Sequence, residues 1–247
     1  MSLAPRPVRR AVILAAGNGD RFHNPAHDSK LLQPLLGQPI LLRTIAAAHE
    51  AGIDHVTVVL GYQADRVRAL AQRAASPRLS LSFALNPQWH LENGVSALAA
   101  RDLVGGERFA LLMGDHVFEP DVLARMLRYP LGGDESLLAI DARPVPQAIA
   151  DEATKVRRAG SRIVAIGKDL IEYDALDTGV FVCAPSLFGA LEDAQAGGDT
   201  TLSGGIRRLA RRGLMHGFEI GDAGWCDIDT VADLAAAESA LGLARPA

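Results

Sequence analysis

Lysine is nearly missing from this chain. Of 25 basic residues only Lys30, Lys155 and Lys168 are lysines, and the rest are arginines. Cysteine is scarce as well: Cys183 and Cys226 stand apart with no CxxC or Cys/His spacing, which excludes a disulfide framework and a zinc site. Positive charge is not in excess, and a net charge of −4 argues against a nucleic-acid surface. No apolar run approaches roughly 18 residues and no charged-then-apolar leader opens the chain, so no membrane span is expected and a cytoplasmic location is. Low-complexity stretches, internal repeats and linker-like segments are also missing, so residues 1–247 are expected to form one domain.

What the chain does have is apolar content. A hydrophobic fraction of 49% beside 22% charged residues is the composition of a compact globular protein. A core of this size needs neither a disulfide nor a structural metal to hold it. In a chain that writes Arg almost everywhere, a surviving Lys marks a place where a compact point charge serves better than a planar fork, as against a single phosphate oxygen.

Short β-like runs alternate with helical ones. Strands are expected at 55–60, 80–85 and 108–113, after a first apolar run closing at Val12-Ile13-Leu14, with helices at 39–51, 62–75 and 93–103 between them. Strands joined by helices of this length imply crossovers and a mostly parallel, Rossmann-like α/β sheet covered on both faces. From 136 onward the pattern changes. Strands at 136–141, 154–157, 162–167 and 178–183 follow one another through short polar turns, which predicts a small antiparallel elaboration. Helices return at 185–195, 203–212 and 230–242, with a strand at 214–219.

The strongest local signal is LAAGNGDRF at 14–22, with SKLLQPLLGQPI at 29–40 after it. A glycine loop leaving a buried strand exposes successive backbone N–H groups that cradle phosphate oxygens. It is not a Walker loop, since GK[ST] is missing, and it lacks the third glycine and the acidic ribose partner of the dinucleotide fingerprint. Two further segments place carboxylates at strand ends: MGDH at 113–116, with Asp115, and WCDIDT at 225–230, with Asp227 and Asp229 two apart. Carboxylates from two strand ends are what a hard Mg²⁺ ion uses beside substrate phosphates. The second ligand is either Asp227 or Asp229, and Asp229 or Thr230 can instead cap the helix that follows. His23 and His27 are expected to be solvated loop residues, because Pro25 between them breaks any helix presenting both to a metal. For His116 a phosphate contact and a structural hydrogen bond stand equally open, and Trp225 and Cys226 read as packing residues. LSGG at 202–205 lacks the context of a nucleophile elbow, which excludes a serine hydrolase.

LAAGNGDRF with Lys30, MGDH, DTGVFVC at 177–183 and WCDIDTVADL at 225–234 together resemble the sugar-phosphate nucleotidyltransferases over nearly the whole chain. NPQWHLENGVSALAAR at 86–101 and ATKVRRAGSRIVAIGK at 153–168 look most like the CTP:inositol-1-phosphate cytidylyltransferase branch. Asp20 stands where the broader pattern has Thr, and Ser29 where it has Pro. The resemblance implies the nucleotide-diphospho-sugar transferase fold and a Mg²⁺-assisted cytidylyl transfer from CTP to inositol 1-phosphate, giving CDP-inositol and pyrophosphate. By the same likeness, Leu14, Ala15, Ala16, Gly17, Asn18 and Gly19 hold the nucleotide together with Asn93, Gly94 and Ser96 at its base. Arg21, Lys30 and Asp115 are implied to be catalytic, and Asp115 and Asp229 to bind Mg²⁺, with Asp227 the weaker candidate. Lys155, Lys168, Asp177 and Gly179 are implied on the acceptor side, where two anionic phosphates approach and added positive charge is needed. Phosphocholine and hexose 1-phosphates are the alternative acceptors, and a non-catalytic nucleotide-binding module is the alternative class. A separate membrane-bound CDP-alcohol transferase is the expected consumer of the product.

Overall fold

A computed structural model describes residues 7–22 and 28–243. His23 and His27 lie outside the described residues. The first half contains β1 (Arg10–Ala15), the small hairpin β2 (Pro34–Leu35) and β3 (Gln38–Pro39), α1 (Ile40–Glu50), β4 (His55–Leu60), α2 (Ala64–Gln72) and β5 (Ser80–Leu85). It continues through α3 (Asn93–Leu98), α4 (Arg101–Val104), β6 (Phe109–Met113), β7 (His116–Phe118) and α5 (Pro120–Met126). The second half holds β8 (Ser136–Asp141), α6 (Gln147–Glu152), β9 (Lys155–Ala159), β10 (Arg162–Gly167) and β11 (Ala175–Cys183). It closes with α7 (Ser186–Ala196), α8 (Leu202–Arg211), β12 (Met215–Glu219), β13 (Trp225–Asp227) and α9 (Val231–Leu243).

The nine-stranded sheet runs β5-β4-β1-β6-β11-β8-β12-β10-β9. The first four strands are parallel, as the crossovers required, and each of β1, β4 and β6 is buried along almost its whole length. That burial explains their unbroken apolar runs: α1, α2 and α5 cover one face, and α3, α7 and α8 the other. β11 enters antiparallel to β6, and the remaining strands depart from parallel order, except that β12 and β8 are parallel. Leu176 of β11 pairs with Asp141 of β8 and with Lys155 of β9, so β11, β8, β12, β10 and β9 close on themselves. The antiparallel elaboration is therefore a small ring rather than an open flap, because one long strand carries neighbours on both edges of its first turn.

Two local differences from the sequence expectations, and one alternative the sequence left open, have simple causes. The helix expected at 93–103 breaks at Ala99-Ala100 into α3 and α4, and Gly105 ends the second piece in a left-handed turn. α5 and α6 were not expected, although Pro120 at the first position of α5 is a helix-start signal. Thr230, and not Asp229, caps α9: Asp233 N–H donates to Thr230 Oγ1 at 3.1 Å, and Thr230 N–H donates back to Asp233 Oδ2 at 2.7 Å. Asp229 is thereby left for other partners.

Because β1, β6 and β8 run the same way and β11 the opposite way, the ends of β1, β6 and β8 and the start of β11 lie along one sheet edge. This is the edge where open α/β sheets place their ligands.

Candidate active site

β1 leads directly into the glycine loop. Leu14 and Ala16 anchor it through their carbonyls, which accept from Gly114 N–H and Tyr62 N–H at 2.9 Å each. Both approaches demand glycine next door. A Cβ at Gly114 would lie 2.7 Å from the Leu14 oxygen, and one at Gly61 would lie 2.6 Å from the Ala16 oxygen. Gly17 has open space around its α-carbon, whereas the stem of Lys30 lies against Gly19. Asn18 Nδ2 donates to Asp20 Oδ1 at 2.5 Å and folds the loop's tip onto itself.

Lys30 begins a short 3-10 turn whose cap, Ser29, is buried and donates its N–H to Gln63 Oε1 at 3.1 Å. The lysine is 8% exposed, and its Nζ lies 2.6 Å from Asp115 Oδ2 and 2.7 Å from Asp229 Oδ1. Burial alone works against an ammonium here, but the two carboxylates outweigh it and hold Lys30 well above its ordinary range. In the same way, burial opposes the ionised forms of Asp115 and Asp229, yet Lys30 beside them keeps both below the usual carboxylate range. Arg21 reaches the same cluster: its guanidinium lies 2.6 Å from Asp229 Oδ2 and 3.3 Å from Glu152 Oε2 of α6. Two carboxylates that converge on one positive atom form a cation-binding pair, and their all-oxygen donor set suits a hard divalent ion.

Asp227 and Asp229 do not compete for one position. Ile228 is fully buried between them, and its N–H donates to the Asp115 carbonyl at 3.2 Å, so the segment wraps around Asp115. Asp229 faces Asp115 from the Lys30 side. Asp227 lies on the other side, with its Oδ1 3.4 Å from His116 Nε2. Burial disfavours charge on His116, but Asp227 and then Asp115 outweigh it and push its pKa up to about 10.

Asp177 is pushed up to about 6 by its burial, although it accepts Gly179 N–H at 2.7 Å. Gly179 has a packing role the sequence did not announce. It adopts φ +73°, and a Cβ there would lie 2.2 Å from His116 Nδ1. Only glycine lets the histidine ring occupy its place.

The three residues expected at the base lie at the start of α3. Asn93 Oδ1 accepts Leu202 N–H at 2.9 Å, Gly94 N–H donates to the Thr200 carbonyl at 3.1 Å, and buried Ser96 accepts from Asn86 Nδ2 at 3.0 Å. Asn93 and Gly94 fasten α3 to the start of α8, and Ser96 ties it to the segment that follows β5. Asn86, which orients Ser96, was missed; its place at the head of NPQWHLENG was the available signal. On the acceptor side, Lys155 is buried and donates to the Lys168 carbonyl at 2.8 Å, with its Nζ 5.8 Å from the Tyr173 ring. The two lysines do meet, but through the backbone of Lys168, whose side chain is exposed. Register places Lys155 opposite Leu176, next to Asp177.

Residues 11–130 match the family described as the MobA-like NTP transferase domain. The chain is 34% identical over 231 residues to a bifunctional IPC transferase and DIPP synthase of Rubrobacter xylanophilus, covering 92% of this chain and 51% of that protein. It is likewise 34% identical to the protein of the same name from Thermococcus kodakarensis, over 94% of this chain and 50% of the relative. The chain thus spans about half the length of the curated relatives it matches. Its fold superposes on the inositol-1-phosphate CTP transferase of T. maritima with a TM-score of 0.81 at 23% identity, covering 99% of this chain and 100% of that one. A glycine loop, a buried lysine and two carboxylates thus stand together at the ligand edge of this fold, and all but Asp229 lie within the residues similar to the MobA-like NTP transferase domain.

Proposed function

We propose that residues 1–247 act as one catalytic unit that transfers a cytidylyl group from CTP to inositol 1-phosphate, giving CDP-inositol and pyrophosphate. The observation that carries this reading is the buried Lys30 ammonium, held between Asp115 and Asp229 just beyond the glycine loop. A degenerate nucleotide-binding module has no use for such a charge cluster at this cost of burial. The choice of CTP and inositol 1-phosphate rests on the names of the relatives and of the structural neighbour.

In this reading the backbone of 15–19 and Arg21 receive the triphosphate, while Asn93, Gly94 and Ser96 line the base. Lys30 sits against the α-phosphate, where charge builds in the transition state. Asp115 and Asp229 hold Mg²⁺, which when bound neutralises phosphate charge. Lys155 and Asp177 orient the acceptor. An oxygen of the acceptor phosphate attacks the α-phosphorus as the bond to the β-phosphate oxygen breaks, and pyrophosphate leaves. The attacking phosphate has a second pKa of about 6 and is already mostly dianionic at neutral pH, so no general base is needed. Catalysis is then positioning and charge neutralisation of an in-line displacement.

Among the described residues no helix is long and apolar enough to cross a membrane. The product is read as passing to a membrane-bound CDP-alcohol transferase, whether in a separate chain or fused to this one. Pyrophosphate release, measured for four nucleoside triphosphates against inositol 1-phosphate, phosphocholine and hexose 1-phosphates with Mg²⁺, tests the assignment. CTP with inositol 1-phosphate is expected to be the best pair. Release with no pair overturns the reading, and a different best acceptor corrects its specificity.

A further inference from the structure

Asp115 uses its two carboxylate oxygens in different directions. Oδ2 lies 2.6 Å from Lys30 Nζ, whereas Oδ1 faces His116, 3.9 Å from Nε2. The same Nε2 lies 3.4 Å from Asp227 Oδ1. That oxygen is buried and, among the described residues, accepts no hydrogen bond. The histidine is oriented from behind. Its Nδ1 lies 2.8 Å from the Thr178 carbonyl, and since a carbonyl only accepts, Nδ1 carries a hydrogen, while Nε2 points at the carboxylates and releases its own proton to solvent when a metal binds there. Gly179 keeps the ring in this pose by having no side chain. The Thr44 hydroxyl of α1 lies beneath, its single hydrogen shared among carbonyls that include those of Gly114 at 3.1 Å and His116 at 3.3 Å.

We propose that Asp115 Oδ1, His116 Nε2 and Asp227 Oδ1 form a second cation site for a divalent first-row transition ion, for which Mn²⁺ serves as the probe. Three lines of geometry support it. One donor atom from each of Asp115, His116 and Asp227 lies within 4.8 Å of the other two. Ligands held at about 2.0–2.2 Å from one ion stand roughly 3–4.3 Å apart, which brackets the two separations at Nε2. A metal-binding histidine almost always donates its other ring N–H to a carbonyl or carboxylate, as His116 does to Thr178. An imidazole in the donor set favours a transition ion over Mg²⁺. Asp115 then bridges this site and the Lys30–Asp229 side, the arrangement in which two cations act on one phosphate chain. The site rests on the transferase reading only through that shared carboxylate.

The test is binding, read without nucleotide. The full chain is titrated with MnCl₂ and examined by pulsed electron paramagnetic resonance. Bound Mn²⁺ is expected to show imidazole ¹⁴N coupling that disappears in His116→Gln and persists in Asp229→Asn. Asp227→Asn, which preserves side-chain shape, is expected to weaken Mn²⁺ binding at least ~10-fold as a lost ligand. It serves as the working variant if His116→Gln does not fold. Failure of Mn²⁺ to bind, coupling absent from the bound ion, or unchanged affinity in Asp227→Asn overturns the second site and leaves only a His116–Asp227 ion pair. Pyrophosphate release in Mg²⁺ alone is a separate readout, so loss of either result is distinguishable from loss of the other.

Discussion

Lys30 Nζ and Asp229 Oδ1 meet at 2.7 Å across 199 residues of sequence, and the same ammonium grips Asp115 Oδ2 at 2.6 Å. One cation thus holds together two carboxylates that would otherwise repel across a largely buried gap. Lys30→Met is expected to destabilise the metal-free protein by about 3 kcal/mol, as removal of one partner of a buried ionic cluster does. Added Mg²⁺ is expected to restore part of that loss, since it can bridge the same carboxylates. Urea denaturation with and without Mg²⁺ measures both. Lys30→Arg keeps the charge but brings a planar fork to a point-charge site, so kcat is expected to fall while KM for CTP changes little.

Removing the carboxylates tests the division between Asp227 and Asp229. Asp115→Ala and Asp229→Ala are each expected to lower turnover in Mg²⁺ by ~10²–10³, the scale of one oriented electrostatic contact, with the fold retained. Asp227→Ala is expected to be milder in Mg²⁺ because it faces His116 and not Lys30. If Asp227→Ala proves the more damaging of the pair, the order assigned here is reversed.

Much of the parallel half was legible because each strand there is a continuous apolar run bounded by a helix signal. The strands at 55–60 and 80–85 lie where the pattern put them. The ring of β8 to β12 was less legible, since nothing local tells Leu176 that it will pair with both Asp141 and Lys155. β7 was invisible and β13 legible only as a strand end, because, at three residues each, they pair across Trp225↔Phe118 to Asp227↔His116 at a distance in sequence. Lys30, Asp115 and Asp229 were legible as motif residues, but that Lys30 would occupy the gap between the carboxylates was not. His116 was left open by the sequence, and its role became readable only with the Thr178 carbonyl behind it and Gly179 beneath it.

The acceptor-side lysines separate into two kinds. Lys155 is buried with its ammonium on the Lys168 carbonyl, whereas the Lys168 side chain is exposed. Lys155→Met is expected to raise KM for the acceptor by about tenfold, roughly one lost charged hydrogen bond, while leaving the apparent affinity for CTP alone. Lys168→Arg retains both carbonyl and charge and is expected to stay near wild type. Steady-state kinetics with each substrate varied in turn separates the two.

Asp177 gives a dependence on pH whose sign is opposite to that of a salt-bridged carboxylate. Its folded pKa is about 6 against an ordinary 3.8, so the unfolded chain loses this proton first as pH rises. Stability from this group is therefore fully present below pH ~4, is lost between ~4 and ~6, and stays lost above. The ceiling on the loss is about 3 kcal/mol at 1.36 kcal/mol per pKa unit. Asp177→Asn keeps an oxygen for Gly179 N–H and is expected to be more stable than wild type at pH 7.5 and equal to it at pH 4. Metal-free denaturation curves at the two pH values check this. A more stable Asp177→Asn with weakened acceptor binding would show a carboxylate retained for function at the expense of stability.

The central claim is that the α-phosphorus of CTP is the atom attacked. Incubation of the protein with Mg²⁺, inositol 1-phosphate and CTP labelled with ³²P at the α position, followed by chromatographic separation, reads this directly. The account predicts that label enters CDP-inositol and that unlabelled pyrophosphate appears in equal amount. Label remaining wholly in CTP, or released as CMP or CDP with no labelled inositol product, would contradict it.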